Sequence, residues 1–469
     1  MEVNTRPLLQ ASESDSDIEE RTPRYEVERS TTGHDDIIND SVIMYRDETR
    51  FKNEPADRYY VAYIIFYILG LATLIPWNFF ITADEYWMYK FRDIHNHTSI
   101  HQKTPLQIMF TSYLSVATSV PTTFFLILNA ALSRKVPLGI RMIGSLSIML
   151  ILFIVTTVFV KINTDLWQEQ FFAITMVVVV FLSIFSAIMS GGLYGIVGKF
   201  SPTYITAVVS GQSLGGVFAA IAEILSLTFG VTATFSAFVY FMIANVTLAL
   251  SIIAYIILSN SVFFKYHTID KAKALAELEA TTSLTFYGTI SYTVILKKIR
   301  VYAFSIVWVF LVTLSVFPSV TALIESEHEG NGSLWNDVYF VPVVTYLVFS
   351  LGDYFGRIIA GILQWPNQKQ GWILITLNFM RVGFIPLLML CNANPRHNMP
   401  ILISKDVYYI IIMACFSLSS GYLTNISMIN APKSVEPHEK EVASSMMAAF
   451  LGIGLAFGSA LSLITVEML

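Results

Sequence analysis

Eleven separate runs of about twenty mostly apolar residues divide the chain between residues 60 and 466, and about twenty is the length a helix needs to cross the hydrocarbon of a bilayer. They fall at 60–82, 105–129, 138–160, 171–198, 203–229, 235–258, 301–324, 338–363, 372–391, 407–430 and 441–466. No soluble fold can bury so many apolar runs. Only 13% of the residues are Asp, Glu, Lys or Arg, about half the usual share. A soluble enzyme and a disordered chain are both excluded, and an all-α polytopic membrane protein with eleven transmembrane helices is expected. The splits at Lys199–Pro202 and Pro432–Lys440 are the weakest in the pattern.

Charge is distributed unevenly. Residues 1–58 hold 15 acids against 8 bases, whereas residues 59–469 hold 19 against 21. The acidity belongs to a tail, which reads as a disordered cytosolic segment. No clustered Lys/Arg suggests a nucleic-acid partner. The start has no apolar signal-peptide core, so the first span must direct insertion itself. With the N-terminus in the cytosol, cytosolic loops carry thirteen Lys/Arg and the opposite loops six, as the positive-inside rule prefers. The sequons at Asn96 and Asn331 then lie on the non-cytosolic side, and an odd span count puts the C-terminus there too. Asn245 and Asn425 also sit in sequons, but within spans.

The longest internal connection, 259–300, separates a six-helix part (59–258) from a five-helix part (301–469). Two unequal bundles joined by a cytosolic linker suit a transporter that rocks one bundle against the other. Cys391 and Cys415 lie in or beside apolar segments, so a disulfide framework is not expected. Gly192–Lys199 imitates a phosphate loop, but its glycine spacing is one residue too long and Phe200 replaces the magnesium-binding hydroxyl. Transport is therefore passive or ion-driven, with no cofactor and no metal. The His95, His97, His101 group reads as a solvated loop.

Ionisable residues inside spans cost energy, so each is a functional candidate. Asp353 and Arg357 stand four apart and share a helix face. Together they offer an acceptor and a fork of donors, which suits a polyhydroxylated solute. A pair that only fixes helix register is the competing reading. Arg381 is a candidate donor to backbone carbonyls near a helix break. Glu223 is a candidate proton carrier, since a carboxyl removed from water holds its proton more readily, and Glu441 is a second. In Leu74–Ala83, Pro76 interrupts the first span beside Trp77 and Asn78, an aromatic face and an amide suited to a planar heterocycle. Tyr86, Trp87 and Tyr89 read as an interfacial aromatic belt. Glycines in spans 4, 5 and 11 read as packing points, with Gln212 a mid-span exception.

Pro76-Trp-Asn-Phe-Phe80, Ser210-Gly-Gln212, Asp353-x-x-x-Arg357 and Gly421-Tyr422 through Pro432-Lys433 occur in the order seen in the equilibrative nucleoside transporters, which the chain closely resembles from about residue 60 onward. Trp77–Met88 and the acidic tail look most like the lysosomal member. The resemblance implies a major-facilitator-like 6+5 pseudo-symmetric fold and sodium-independent facilitated diffusion of purine and pyrimidine nucleosides, with nucleobases as a further class. It implies that Asp353 and Arg357 engage ribose hydroxyls. Leu74, Trp77, Phe317, Tyr346 and Leu455 would line the cavity. Ser190 stands where plasma-membrane relatives have a base-contacting glutamine, and Ser350 where relatives can have asparagine, so base selectivity does not carry over. Leu8 and Leu9 resemble a dileucine signal for sorting adaptors, and Ser12, Ser14 and Ser16 are phosphorylatable. A late-endosomal or lysosomal membrane is expected, with the plasma membrane the alternative. Proton-coupled symport, and a non-transporting receptor or scaffold, are the rival functions.

Overall fold

The computed structural model describes residues 55–93, 104–132, 136–270, 291–394, 396 and 399–469. Leu8, Leu9, the tail serines, the three loop histidines and Asn96 lie outside them. Among the described residues, eleven helical segments are long and apolar enough to cross a membrane. Where water is absent every backbone N–H and C=O must pair within its own segment, and a helix does this. We number the spans α1 (Val61–Thr82), α2 (Pro105–Leu132), α3 (Ser145–Lys161), α4 (Gln168–Val197), α5 (Pro202–Phe229), α6 (Ala233–Asn260), α7 (Tyr292–Val316), α8 (Val348–Leu363), α9 (Gly371–Met380), α10 (Asp406–Lys433) and α11 (Lys440–Glu467).

The two weakest predicted splits both occur. α4 stops at Val197 and α5 restarts at Pro202, with proline in the first turn, where its missing N–H is not needed. Gly230, at φ +57°, ends α5 in the left-handed region, and Thr232 leads into α6. α1 continues as helix through position 76. α8 is entered through wide-turned helix at Trp335–Tyr339 and Val341–Leu347, a distortion that recurs near functional sites. α9 tightens at Arg381–Gly383 before resuming at Phe384–Met389.

Two expectations need correction. The seventh span begins at Tyr292, nine residues before the predicted 301, and its helix ends at Val316 rather than 324. The misplacement came from Lys297, Lys298 and Arg300, read as loop. Lys298 instead reaches sideways to Glu439 (2.8 Å) and Glu436 (3.4 Å), so the charged turn stays helical. The linker shortens accordingly, and Val262–Lys265 and Tyr266–Asp270 within it are helical.

The aromatic belt is the second correction. Only Tyr89 is exposed; Tyr86 and Trp87 are each 1% exposed. Asp84–Lys90 forms its own short helix, which folds Trp87 among Phe80, Phe91, Phe110 and Phe171. The indole N–H, which must find a partner once buried, donates to the Phe80 carbonyl at 2.9 Å.

Apolar side chains such as Ile151, Val158, Ile253 and Leu463 point outward, the reverse of a soluble surface. Polar ones turn inward. α10 is the extreme case, with Ser417, Ser420, Thr424, Asn425, Ser427 and Asn430 all buried. Asn425 donates to the Arg357 carbonyl (2.6 Å) and to Thr206 (3.1 Å), Ser427 bonds Ser305 (2.7 Å), and Asn430 donates to the Pro366 carbonyl (3.0 Å).

Close backbone approaches set the helix pairs. A Cβ on Gly211 of α5 would lie 2.1 Å from the Tyr67 carbonyl of α1, and one on Gly421 of α10 would lie 1.9 Å from the Asp353 carbonyl of α8. Only glycine fits at either point. Expectations for the glycines as packing points are met at Gly211, and at Gly195 and Gly198, which face Ser445 and Ser444 of α11; Gly421 is a further one.

Candidate functional site

The Asp353–Arg357 pair forms as the spacing predicts. Both residues sit on α8 and are buried, with Arg357 Nε 2.8 Å from Asp353 Oδ2. Burying two charges is costly unless each keeps further partners. α5 supplies them: Ser213 donates its hydroxyl to Asp353 Oδ2 at 2.6 Å, and Arg357 donates to the Val209 carbonyl at 2.6 Å. Ser213 and Val209 are themselves four apart on α5, so two helix faces meet in register. The pair therefore ties a helix of the first six spans to one of the last five.

The same turn of α5 gathers other candidates. Gly215 faces the Asn78 amide and Gly216 faces the Ser350 hydroxyl. The Asn78 Nδ2 is buried without a hydrogen-bond acceptor, an unusual and costly state for a polar group. Trp77 is half-buried against the core. Gln212 faces elsewhere: it accepts from the Tyr194 hydroxyl and donates to Thr73 at 2.9 Å, joining α5 to α4 and α1.

A second, aromatic group lies at the junction of α7 and α8. Phe317 stacks on Phe349 with ring centres 3.7 Å apart, and Tyr346 meets Phe317 edge-on at 6.1 Å. Leu74, Leu455 and Ser190 are half-buried, and no described hydrogen bond or ring contact brings them to the Asp353 pair.

Glu441 and Glu223 occupy different settings. Glu441, in the first turn of α11, lies 2.6 Å from Lys199 Nζ at the end of α4 and 3.7 Å from Arg141 Nη2. Arg141 also donates to Asn129 of α2 at 3.2 Å. This three-charge cluster is a second tie between the two parts of the chain. Glu223 is half-buried near Tyr240, ten residues and about 15 Å of helix beyond Ser213.

Arg381 finds one backbone carbonyl, as expected, and two hydroxyls that the expectation did not include. Fully buried, it donates to the Phe416 carbonyl (3.2 Å), Ser419 (2.7 Å) and Thr313 (2.9 Å). Asn331 is exposed in a turn between two glycines at positive φ, whereas Asn245 donates to Thr157 and Asn425 is buried.

The loop from Glu325 to Asp337 concentrates acids. Both oxygens of Asp406 accept there, from Ser326 Oγ (2.7 Å) and the Glu327 N–H (2.9 Å). Glu327, His328 and Asp406 bring ligand-type atoms within 4.8 Å of one another, but those two bonds already engage Asp406. Partial desolvation, a hydrogen bond to Glu325 and the charges of Glu325 and Asp337 push the Glu329 carboxyl from 4.5 up to about 7. A carboxyl raised on folding binds more protons folded than unfolded, so its contribution is complete below 4.5 and lost as pH rises through about 7. The loop should therefore resist limited proteolysis better at pH 5 than at pH 7.5. Glu329→Gln should flatten that difference; an unchanged pH response would assign it to other groups.

Sequence reasoning missed Ser213, Phe349 and the Arg141–Glu441–Lys199 cluster. Ser213 lies one residue beyond the Ser210-Gly-Gln212 motif, and its spacing from Val209 was the available signal.

With this geometry in view, the relatives become informative. A family model described as nucleoside transporter matches residues 174–467. Equilibrative nucleoside transporter 1 of Rattus norvegicus is 35% identical, over 87% of this chain and 98% of that protein. Equilibrative nucleoside transporter 3 of the same species is 32% identical, over 87% and 89%. The crystal structure of the human organic anion transporter MFSD10 (TETRAN) superposes with a TM-score of 0.51, covering 88% of this chain and 95% of that one. At 12% identity that likeness is one of fold alone.

Proposed function

The chain belongs to the equilibrative nucleoside transporter family, and from that premise we propose how its residues move a nucleoside across a membrane. The protein is a facilitative nucleoside transporter and not an enzyme. Its two parts, 59–258 and 292–469, act as bundles that rock about a site at their interface. Asp353 accepts from the ribose hydroxyls and Arg357 donates to them. Trp77, Phe317 and Tyr346 supply stacking faces for the base, Asn78 and Ser190 hydrogen bonds to its edge, and Leu74 and Leu455 apolar walls. The observation that carries this site is the buried Asp353–Arg357 pair held across the interface by Ser213 and Val209. A vicinal diol can substitute for both α5 contacts, so binding the sugar exchanges one set of hydrogen bonds for another.

The N-terminus lies in the cytosol, following the Lys/Arg bias. Lys199 and Glu441 then mark the cytosolic end and the Glu325–Asp337 loop the opposite one. Cross-interface contacts crowd at the Glu441 end, where Gly195 and Gly198 face α11. At the other end Tyr339 donates to Thr228 at 3.2 Å. We read this as the conformation closed toward the cytosol, with Arg141–Glu441–Lys199 as its lock. Glycan addition at Asn331 reports the sidedness. The acidic tail with Leu8 and Leu9 favours a late-endosomal or lysosomal membrane over the plasma membrane, which colocalisation with an acidic-compartment dye decides.

Uptake of labelled adenosine into proteoliposomes tests the function. Uptake that stops at equal inside and outside concentrations, with or without an inward proton gradient, is the expected result. Accumulation above the outside concentration under that gradient would replace the uniporter by a proton symporter, with Glu223 or Glu441 as its carrier. Absence of flux from folded protein would overturn the transport reading.

A further inference from the structure

Arg381 is 2% exposed, yet its described hydrogen-bond partners are all neutral: a carbonyl and two hydroxyls. A buried guanidinium with no carboxylate among its hydrogen-bond partners is costly to keep, and the Asp353 charge acts on it only through space. Packing gives no reason for it, since a methionine would fill similar space more cheaply. What a guanidinium offers is a rigid planar fork of donors that fixes several groups at once.

Those groups lead to one place by two routes. The first runs through Thr313, which receives the Arg381 Nη2 bond while donating to the Val309 carbonyl at 2.7 Å. Thr313 also provides the carbonyl that accepts the Phe317 N–H at 2.9 Å, the bond that closes the last turn of α7. The second runs through Phe416. The guanidinium lies 5.1 Å from that ring, Phe416 meets Phe349 at 6.0 Å, and Phe349 stacks on Phe317. Backbone route and ring route both end at Phe317, the first at its N–H and the second at its ring.

We infer that Arg381 is a positioning residue that holds Phe317 and Phe349 in register for the nucleoside base from behind the site. This rests on the reading of Phe317 as a base-stacking residue. Stacking attraction depends on ring offset and separation, so a ring fixed at its helix terminus and at its neighbour presents one face at one depth. Lysine at position 381 keeps the charge but, as a single point donor, cannot span Thr313, Ser419 and the Phe416 carbonyl together.

The experiment measures adenosine uptake kinetics in proteoliposomes, normalised to folded protein by fluorescence-detected gel filtration. The variants are Arg381→Lys, Thr313→Val and Phe317→Ala, alone and combined. Arg381→Lys and Thr313→Val should each raise KM about fivefold, the effect of one lost hydrogen bond, with the maximal rate within about twofold. In the Phe317→Ala background neither should raise KM further, since residues acting through one group are not additive. Thr313→Val keeps the buried charge intact, so it carries the test if Arg381→Lys does not fold. Unchanged KM in the folded variants, beside a raised KM in Phe317→Ala, would overturn the inference and leave the site standing. Equal KM increases with and without Phe317 would also overturn it, because Arg381 would then act elsewhere. An unchanged KM in Phe317→Ala would remove the stacking site and the inference together.

Discussion

Asp353→Asn should abolish adenosine flux, taking it at least about a hundredfold below the parent, while the protein still reaches the membrane. The amide matches the carboxylate in shape, so α8 and α10 keep their spacing. The charge is what disappears. Ser213 loses an ionised acceptor, and Arg357 remains buried at 6% exposure with its partner neutralised. Breaking a buried pair from one side costs about 3–5 kcal/mol, and hydrogen bonds from ribose to a charged acceptor contribute about 1.5–3 kcal/mol each. The broken pair alone exceeds the roughly 2.7 kcal/mol that a hundredfold change requires, and two lost ribose bonds, about 3–6 kcal/mol together, exceed it as well. The double variant Asp353→Asn/Arg357→Gln separates the two causes, because it leaves no orphaned charge. If it folds as well as the parent and still carries no nucleoside, the pair binds substrate. If it transports normally, the pair is a register device and the site lies elsewhere.

Gly421→Val should have the largest effect on folding. Even the first carbon of a side chain would stand 1.9 Å from the Asp353 carbonyl oxygen and 2.7 Å from its carbon. Those are backbone atoms, so no rotamer change relieves the clash. α10 must move off α8, and the displaced segment carries Asp353 itself. Overpacking costs about 1–3 kcal/mol in well-packed cores, and this clash belongs at the upper end. Roughly 2–4 °C per kcal/mol gives an apparent melting midpoint lower by about 6–12 °C, read on detergent-solubilised protein. Gly383→Ala is the control, because a Cβ there meets nothing within 4 Å. A Gly421→Val protein as stable as the parent would mean the α8–α10 contact is looser than described.

The span count and the Asp353–Arg357 pair were legible for the same reason. Both rest on local spacing, twenty residues for a bilayer and four for a helix face, and neither needs knowledge of what packs where. Tyr86 and Trp87 were misread because an aromatic beside a span has the same local sequence whether it meets the interface or turns back into the core. The Asp84–Lys90 helix decides between these, and it is fixed by tertiary contacts of Trp87. Glu441 was singled out, but its partners were not. Arg141 and Lys199 lie on other spans, and no spacing rule links them. Ser213 was passed over because a hydroxyl in a membrane helix often satisfies itself on the carbonyl one turn back, as Thr157 and Thr175 do here. The start of α7 was misplaced because charge was equated with loop, although Lys298 stays helical by reaching sideways to Glu436 and Glu439.

The inward-facing hydroxyls and amides of α10 bear on how the protein is made as well as on how it works. A helix with Ser417, Ser420, Thr424, Asn425, Ser427 and Asn430 along its length would present that whole stripe to lipid if it left the translocon alone. Asn425 needs the Arg357 carbonyl and Asn430 needs the Pro366 carbonyl, while Ser427 meets Ser305, and these partners all precede α10 in synthesis. α10 thus enters a bilayer in which α7 and α8 already wait, and its release into lipid is coupled to its docking against them. The order in which the ribosome delivers the spans is itself part of what makes so polar a helix insertable.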